Sequence, residues 1–197
     1  MKSLIHGCCR VGRRAKGIAI SRHLSLGWLI YAVFFWNSVS VAEDIAPSDK
    51  VKAAYLLHFS SYVSWPEREL SSVNLCLVGD DPFGGYIDAM VKAKPLNRHG
   101  QKIVVHRLEA SDSSVHCHIL YAHFEGSIGQ NTPIDPLQRE TLYVGDDEDF
   151  LASRGMIRFF IRDKRVRLEV HLSRVRAAGM SVSSELLKIS DIAKGGE

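Results

Sequence analysis

The spacing of apolar positions changes several times along this chain, and each change marks an element. After Ser48, DKVKAAYLLHFSSYVSW repeats its apolar residues every three or four positions, which predicts a helix from about Asp49 to Val63, stopped by Trp65-Pro66. Its apolar surface is broad, with Ala54, Tyr55, Leu56, Leu57, Phe59, Tyr62 and Val63, so a mostly buried helix is expected. VNLCLVGD is a continuous apolar run ending in Gly-Asp and predicts a buried strand, after which DPFGG opens a helix to about Ala93. Beyond the loop KPLNRHGQ, strands are expected over Lys102 to Leu108, in HCHILYAHF, and in TLYVG from Thr141, with a short helix near Pro136 to Glu140. This alternation predicts an α/β fold, a largely parallel sheet flanked by helices.

Near the end the period becomes two. MIRFFI and RVRLEVHL flank Asp163-Lys164 and predict an antiparallel hairpin. SRVRAAGMSVSSELLKISDI then predicts a short helix to Ala178, a break at Gly179, and a final helix capped from Ser181 or Ser183 with Glu185 in its first turn.

The first 42 residues stand apart from this pattern. They carry Lys2, Arg10, Arg13, Arg14, Lys16 and Arg22 without an acid, then the apolar run Leu24 to Trp36, then small residues at Ser40 and Ala42. That is the order of a secretory signal peptide, expected to be cleaved after Ala42 and to leave residues 43–197 as one exported domain. The run is shorter than the roughly 20 residues that span a bilayer.

The leader changes the charge balance. Of 25 Lys and Arg it holds six, and of 22 Asp and Glu none, so the remainder carries 19 bases against 22 acids. Nucleic acid is therefore not an expected partner, because its binding needs a basic footprint. Cys8 and Cys9 leave with the leader, and an oxidising compartment with the pair Cys76 and Cys117 favours one disulfide.

Residues 115–124, VHCHILYAHF, raise the question of a metal site. Alternation on a strand puts His116 and His118 on one face, with Cys117 and His123 on the other, so one strand cannot bring all four to one ion. No HExxH or CxxC nominates further ligands, and no metal or cofactor is expected.

Three constellations remain as carriers of function. LCLVGDDPF at Leu75 to Phe83 and LYVGDDEDF at Leu142 to Phe150 repeat a strand, a Gly-Asp-Asp turn and an aromatic. Asp80, Asp81, Asp146, Asp147 and Asp149 could gather at the carboxyl edge of the sheet around a cation, but helix capping is the favoured role, since neither turn has calcium-loop spacing. The hairpin bears Arg158, Arg162, Lys164, Arg165 and Arg167 opposite Ile157, Phe159, Ile161, Val166, Leu168 and Val170. Its basic face either protects a sheet edge or docks an acidic protein surface, with Arg158, Arg162, Arg165 and Arg167 as the partner-binding candidates. Arg68, with Ser181 and Ser183 (and Ser184) opening the last helix, could hold an anion, although capping is the expected role of the serines. There is no nucleophile elbow, phosphate-binding glycine loop or motif-placed carboxylate pair, so no catalytic residue is nominated and a binding module is favoured over an enzyme.

The stretches KAAYLLHFSSYVSWP, LCLVGDDPFG, CHIL, TLYVGDDEDFLASRGMIRFFI and RLEVHLSRVRAAGMSVSSELLKIS together resemble the YfiR family, in its order and spacing, over about Val51 to Ile192. The resemblance implies a periplasmic repressor, usually dimeric, that binds the periplasmic sensor domain of an inner-membrane diguanylate cyclase and is itself sequestered by an outer-membrane lipoprotein. It also implies that Cys76 and Cys117 match a family cysteine pair, while His171 and Arg154 depart from the family's Asn and Gly. The alternative readings are a periplasmic small-molecule sensor with a pocket near Arg68 and the last helix, and an exported enzyme.

Overall fold

The computed structural model describes residues 45–66, 70–109, 114–123 and 140–193. They belong to a unit spanning Asp44–Glu197; the other unit, Met1–Glu43, which contains the expected leader and its cleavage point, lies outside the described residues.

Helix α1, Pro47–Tyr62, starts with Pro in its first turn, where the missing N–H has no helical acceptor to lose. At Val63 the backbone turns extended and forms β1, Val63–Ser64. Strand β2, Ser72–Gly79, is buried on both faces, as its unbroken apolar run requires, and ends at Gly79 with φ 87°. Asp81 Oδ1 then accepts the N–H groups of Phe83 (2.8 Å) and Gly84 (3.2 Å), an Asx turn that leads into α2, Gly85–Ala93. Strand β3, Lys102–Leu108, has the expected limits. Strands β4, Ile119–His123, and β5, Leu142–Gly145, follow, then the one-turn α3, Phe150–Ser153. The hairpin consists of β6, Ile157–Arg162, and β7, Arg165–Val170. Its two turn residues, Asp163 and Lys164, both have positive φ (53° and 57°), the type I′ geometry whose twist matches the flanking strands.

Among the described residues, the main sheet has the order β3-β2-β4-β5-β6-β7-β9, where β9 is Ser190–Ile192. Neighbours from β3 to β6 run parallel, β7 returns antiparallel to β6, and β9 runs parallel to β7. The register places Leu75, Leu77, Ile119, Tyr121, Leu142, Val144, Ile157, Phe159 and Leu168 on one face. Helix α1 covers that face, with Phe59 stacked on Phe159 at 6.1 Å and Tyr55 tilted against the same ring at 6.1 Å.

The C-terminal expectation needs correction. After α4, Leu172–Ala177, the chain forms β8, Ser181–Val182, which pairs with β1. The expected final helix is a single turn, α5, Ser184–Leu187, followed by β9, Ser190–Ile192. Strand β9 pairs with the edge of β7 at Leu168 to Val170, and these long-range ladder bonds outweigh the local helical pattern. The helix expected near Pro136 to Glu140 falls outside the described residues except for Glu140, a turn residue with φ 69°.

A second correction concerns the histidine segment. The strand begins at Ile119, because Asn74 occupies the ladder ahead of it: its backbone N–H donates to His118 Nδ1 (3.0 Å) and its side-chain amide to the His116 carbonyl (2.9 Å). Cys117 therefore lies just before β4, where it forms a disulfide with Cys76 of β2 across 41 residues.

Candidate functional site

In the sheet order β2 is followed in the chain by β3 on one side and β4 by β5 on the other, so the carboxyl ends of β2 and β4 form a topological switch point, where open α/β sheets place their ligands. Tyr121 and His123 alternate along β4 and share the α1 face, and Asp146 follows the end of β5 on that face. Lys52, one helical turn before Leu56 and two before Phe59, projects from the buried stripe of α1 toward the same point.

Asp146 is the hub of this cluster. Its Oδ2 accepts from Lys52 Nζ (2.7 Å) and from the Tyr121 hydroxyl (2.9 Å), and its Oδ1 accepts from His123 Nδ1 (2.8 Å). Lys52 also reaches Asp49 at 3.1 Å. The Lys52 and Asp146 side chains are 13% and 14% exposed, so this is a nearly buried ion pair, which needs its full set of hydrogen bonds to be tolerated. Burial acts to raise the Asp146 pKa, yet the hydrogen bonds and charges of His123 and Lys52 prevail and hold it at about 2. The hydrogen bond to Asp146 raises the His123 pKa above its ordinary value against burial and the Lys52 charge. Burial alone would lower Lys52, but Asp146 and Asp49 leave it raised. Burial, followed by the Asp146 charge, raises Tyr121. Asp146 is thus held as a carboxylate and Lys52 as an ammonium, and the shared carboxylate favours the protonated imidazole of His123.

A cavity of about 380 Å³ opens beside it, lined by Lys52, Asp146, Glu148, Arg158 and the β6 residues Phe159 to Ile161. Arg158 spans its wall, donating to the Glu148 carbonyl (3.0 Å) and to Glu169 (2.7 Å). Across the ladder Arg158 faces Glu169, Phe160 faces Arg167 and Arg162 faces Arg165, so the hairpin has the basic face expected from its period, with Phe160 set among the cations. Phe160 lies 5.4 Å from the guanidinium carbons of both Arg158 and Arg162. Arg162 pairs with Asp191 of β9 at 2.9 Å.

The two Gly-Asp-Asp turns take different roles. Asp81 makes its Asx turn and binds Arg107 Nε at 2.7 Å, and Asp147 accepts from the Asp149 N–H at 2.8 Å. Asp149 precedes α3 without a side-chain cap bond, so the capping expected of these residues is replaced by Asx turns and ion pairs. Among the described residues, no three His, Cys, Asp or Glu side chains form a group able to hold a metal ion. Arg68 lies outside the described residues; Ser181 is exposed in β8, and the Ser183 hydroxyl caps α5 by accepting from the Leu186 N–H at 3.3 Å. His171 precedes α4 with its Nδ1 3.2 Å from Ser173 Oγ, and Arg154 follows α3.

Sequence reading named Asp146 as a cation or capping candidate and His123 only in the question of a metal site, without joining them, and it did not single out Lys52 or Tyr121. The available signal was the placement of Lys52 in register with the apolar stripe of α1 and of Tyr121 and His123 two apart on one strand.

A profile of YfiR/HmsC-like proteins matches residues 49–191, well over half of the chain. The chain belongs to the YfiR/HmsC-like family. No curated protein matches it. The disulfide of this family member suits an oxidising compartment.

Proposed function

We propose that this protein is a periplasmic regulator that binds the periplasmic sensor domain of an inner-membrane diguanylate cyclase and represses it, lowering cyclic di-GMP and biofilm formation by contact and without catalysis. Membership of the YfiR/HmsC-like family over residues 49–191 is the observation that carries this reading. The buried disulfide and the arginine-rich hairpin are compatible with an exported, surface-acting protein. Homodimer formation and sequestration by an outer-membrane lipoprotein are part of the same proposal. The deciding experiment deletes the gene and measures cyclic di-GMP: the level is expected to rise, and to return when the exported protein is resupplied. An unchanged level in every growth condition tested would refute the reading.

The cavity beside Asp146 favours a second reading, a small-molecule sensor. Thermal stabilisation by a metabolite panel, lost on filling the cavity with Ile161→Trp, is its test.

A further inference from the structure

We propose that the notch where β6 outruns β5 is a docking groove that takes one extended acidic segment of a partner protein as an added β-strand. This deepens the reading above and rests on its claim that the protein acts by binding another protein.

The ladder supplies the first observation. Strand β5 meets β6 only at Val144↔Ile157 and Gly145↔Arg158, whereas β6 continues to Arg162. Residues 159–162 therefore pair with β7 on one side and with no strand, among the described residues, on the other. In a two-residue hairpin the residues flanking the turn, Arg162 and Arg165, direct their backbone groups at each other. Alternation then turns Phe160 toward β7, and Phe159 and Ile161 toward the open side. Their backbone polar groups form a template for strand addition, the mode in which main-chain bonds give affinity and alternate side chains give specificity.

The side chains around this edge select the occupant. On the α1 face, Phe159 floors the cavity and Ile161 stands 58% exposed beside it, so apolar side chains of an incoming strand would be buried there. On the opposite face lie Arg158, Phe160 and Arg162. The hairpin, residues 157–170, holds five bases, Arg158, Arg162, Lys164, Arg165 and Arg167, against two acids, Asp163 and Glu169. Glu169 and Asp191 compensate Arg158 and Arg162, while Arg165 and Arg167 have no ion pair among the described residues. A second copy of this edge would set arginine against arginine, a destabilising cross-strand arrangement. The complementary occupant is a partner segment of about four residues that alternates apolar with Asp or Glu. Neither proline nor a bulge blocks the edge within β6.

The test uses the exported protein and the purified periplasmic domain of each membrane diguanylate cyclase of the same genome. Ile161→Pro removes an N–H on the open side and leaves the β7 ladder bonds in place, a position where proline is tolerated. Ile161→Asp keeps the backbone and sets a charge against the apolar side chains of the incoming strand. The expected result is capture of a cyclase domain by the wild-type protein and at least tenfold weaker capture by both variants, with unchanged melting temperature. Should Ile161→Pro melt early, Ile161→Asp decides. Wild-type affinity in a folded Ile161→Asp variant would overturn the groove and leave the proposed function standing. Failure of the wild-type protein to capture any of the domains would overturn the function, and the groove with it.

Discussion

Replacing Asp146 by alanine tests whether the polar cluster under α1 is structural. The substitution removes a carboxylate that accepts three hydrogen bonds and leaves the Lys52 ammonium, 13% exposed, with only Asp49 at 3.1 Å. Breaking a buried ion pair from one side typically costs about 3–5 kcal/mol, and the surviving Asp49 contact places this case near the lower figure. The Tyr121 hydroxyl also loses its acceptor; an orphaned buried donor costs about 1–3 kcal/mol, but that loss overlaps with the first because the groups share one carboxylate. The expected total is about 3–4 kcal/mol, a large part of the roughly 5–15 kcal/mol that stabilises a domain. Urea unfolding at several pH values is the assay, because the cluster also has a pH signature. The raised His123 pKa contributes stability that is complete below its ordinary 6.5 and is lost as pH climbs through the raised value. The lowered Asp146 pKa contributes stability that is complete above its ordinary 3.8 and is lost as pH falls toward about 2. Wild-type stability should thus be broadly flat between these ordinary values and fall on both sides, and Asp146→Ala should remove both slopes. A loss below about 1 kcal/mol, with the slopes retained, would refute the reasoning.

Three further outcomes follow from the geometry. Replacing Cys76 and Cys117 together by alanine opens a 41-residue loop and should cost about 4 kcal/mol in chain entropy, read as a lower melting temperature; wild-type melting would count against it. Lys164→Gly relieves a non-glycine residue at φ 57° and should stabilise by roughly 0.5–1 kcal/mol, measured by thermal unfolding; a destabilised variant would show that Lys164 contributes more than turn geometry. Gly145→Ala would place a Cβ 2.6 Å from the ring of Phe150, which also abuts Gly155, and should cost about 1–3 kcal/mol in chemical denaturation; wild-type stability would show that the ring can move aside.

The sequence determined whatever depended on local period and local chemistry. The run of β2 buried on both faces, the limits of β3 and the two-sided hairpin with Asp163-Lys164 in its turn were legible because side-chain direction follows residue number within one element, whereas the broad apolar surface read on α1 narrows to a stripe of Ala53, Leu56, Phe59 and Ser60. The pairing of Cys76 with Cys117 was legible because only two cysteines lie beyond the expected leader. Tertiary structure alone decided what depended on the order of strands in space. SSELLKISDI has a helical pattern, yet its end became β9 because the free edge of β7 offered ladder bonds that a helix could not use. The two Gly-Asp-Asp turns look alike, but Asp81 meets Arg107 from β3 whereas Asp146 lies between α1 and β4, so one forms an exposed clamp and the other a buried hub. The open notch beside Phe159 and Ile161 arises from the unequal lengths of β5 and β6, and is set only when the two strands align. Period is encoded between neighbours along the chain, but register and strand order arise from contacts between distant segments, whose free energy no single segment carries.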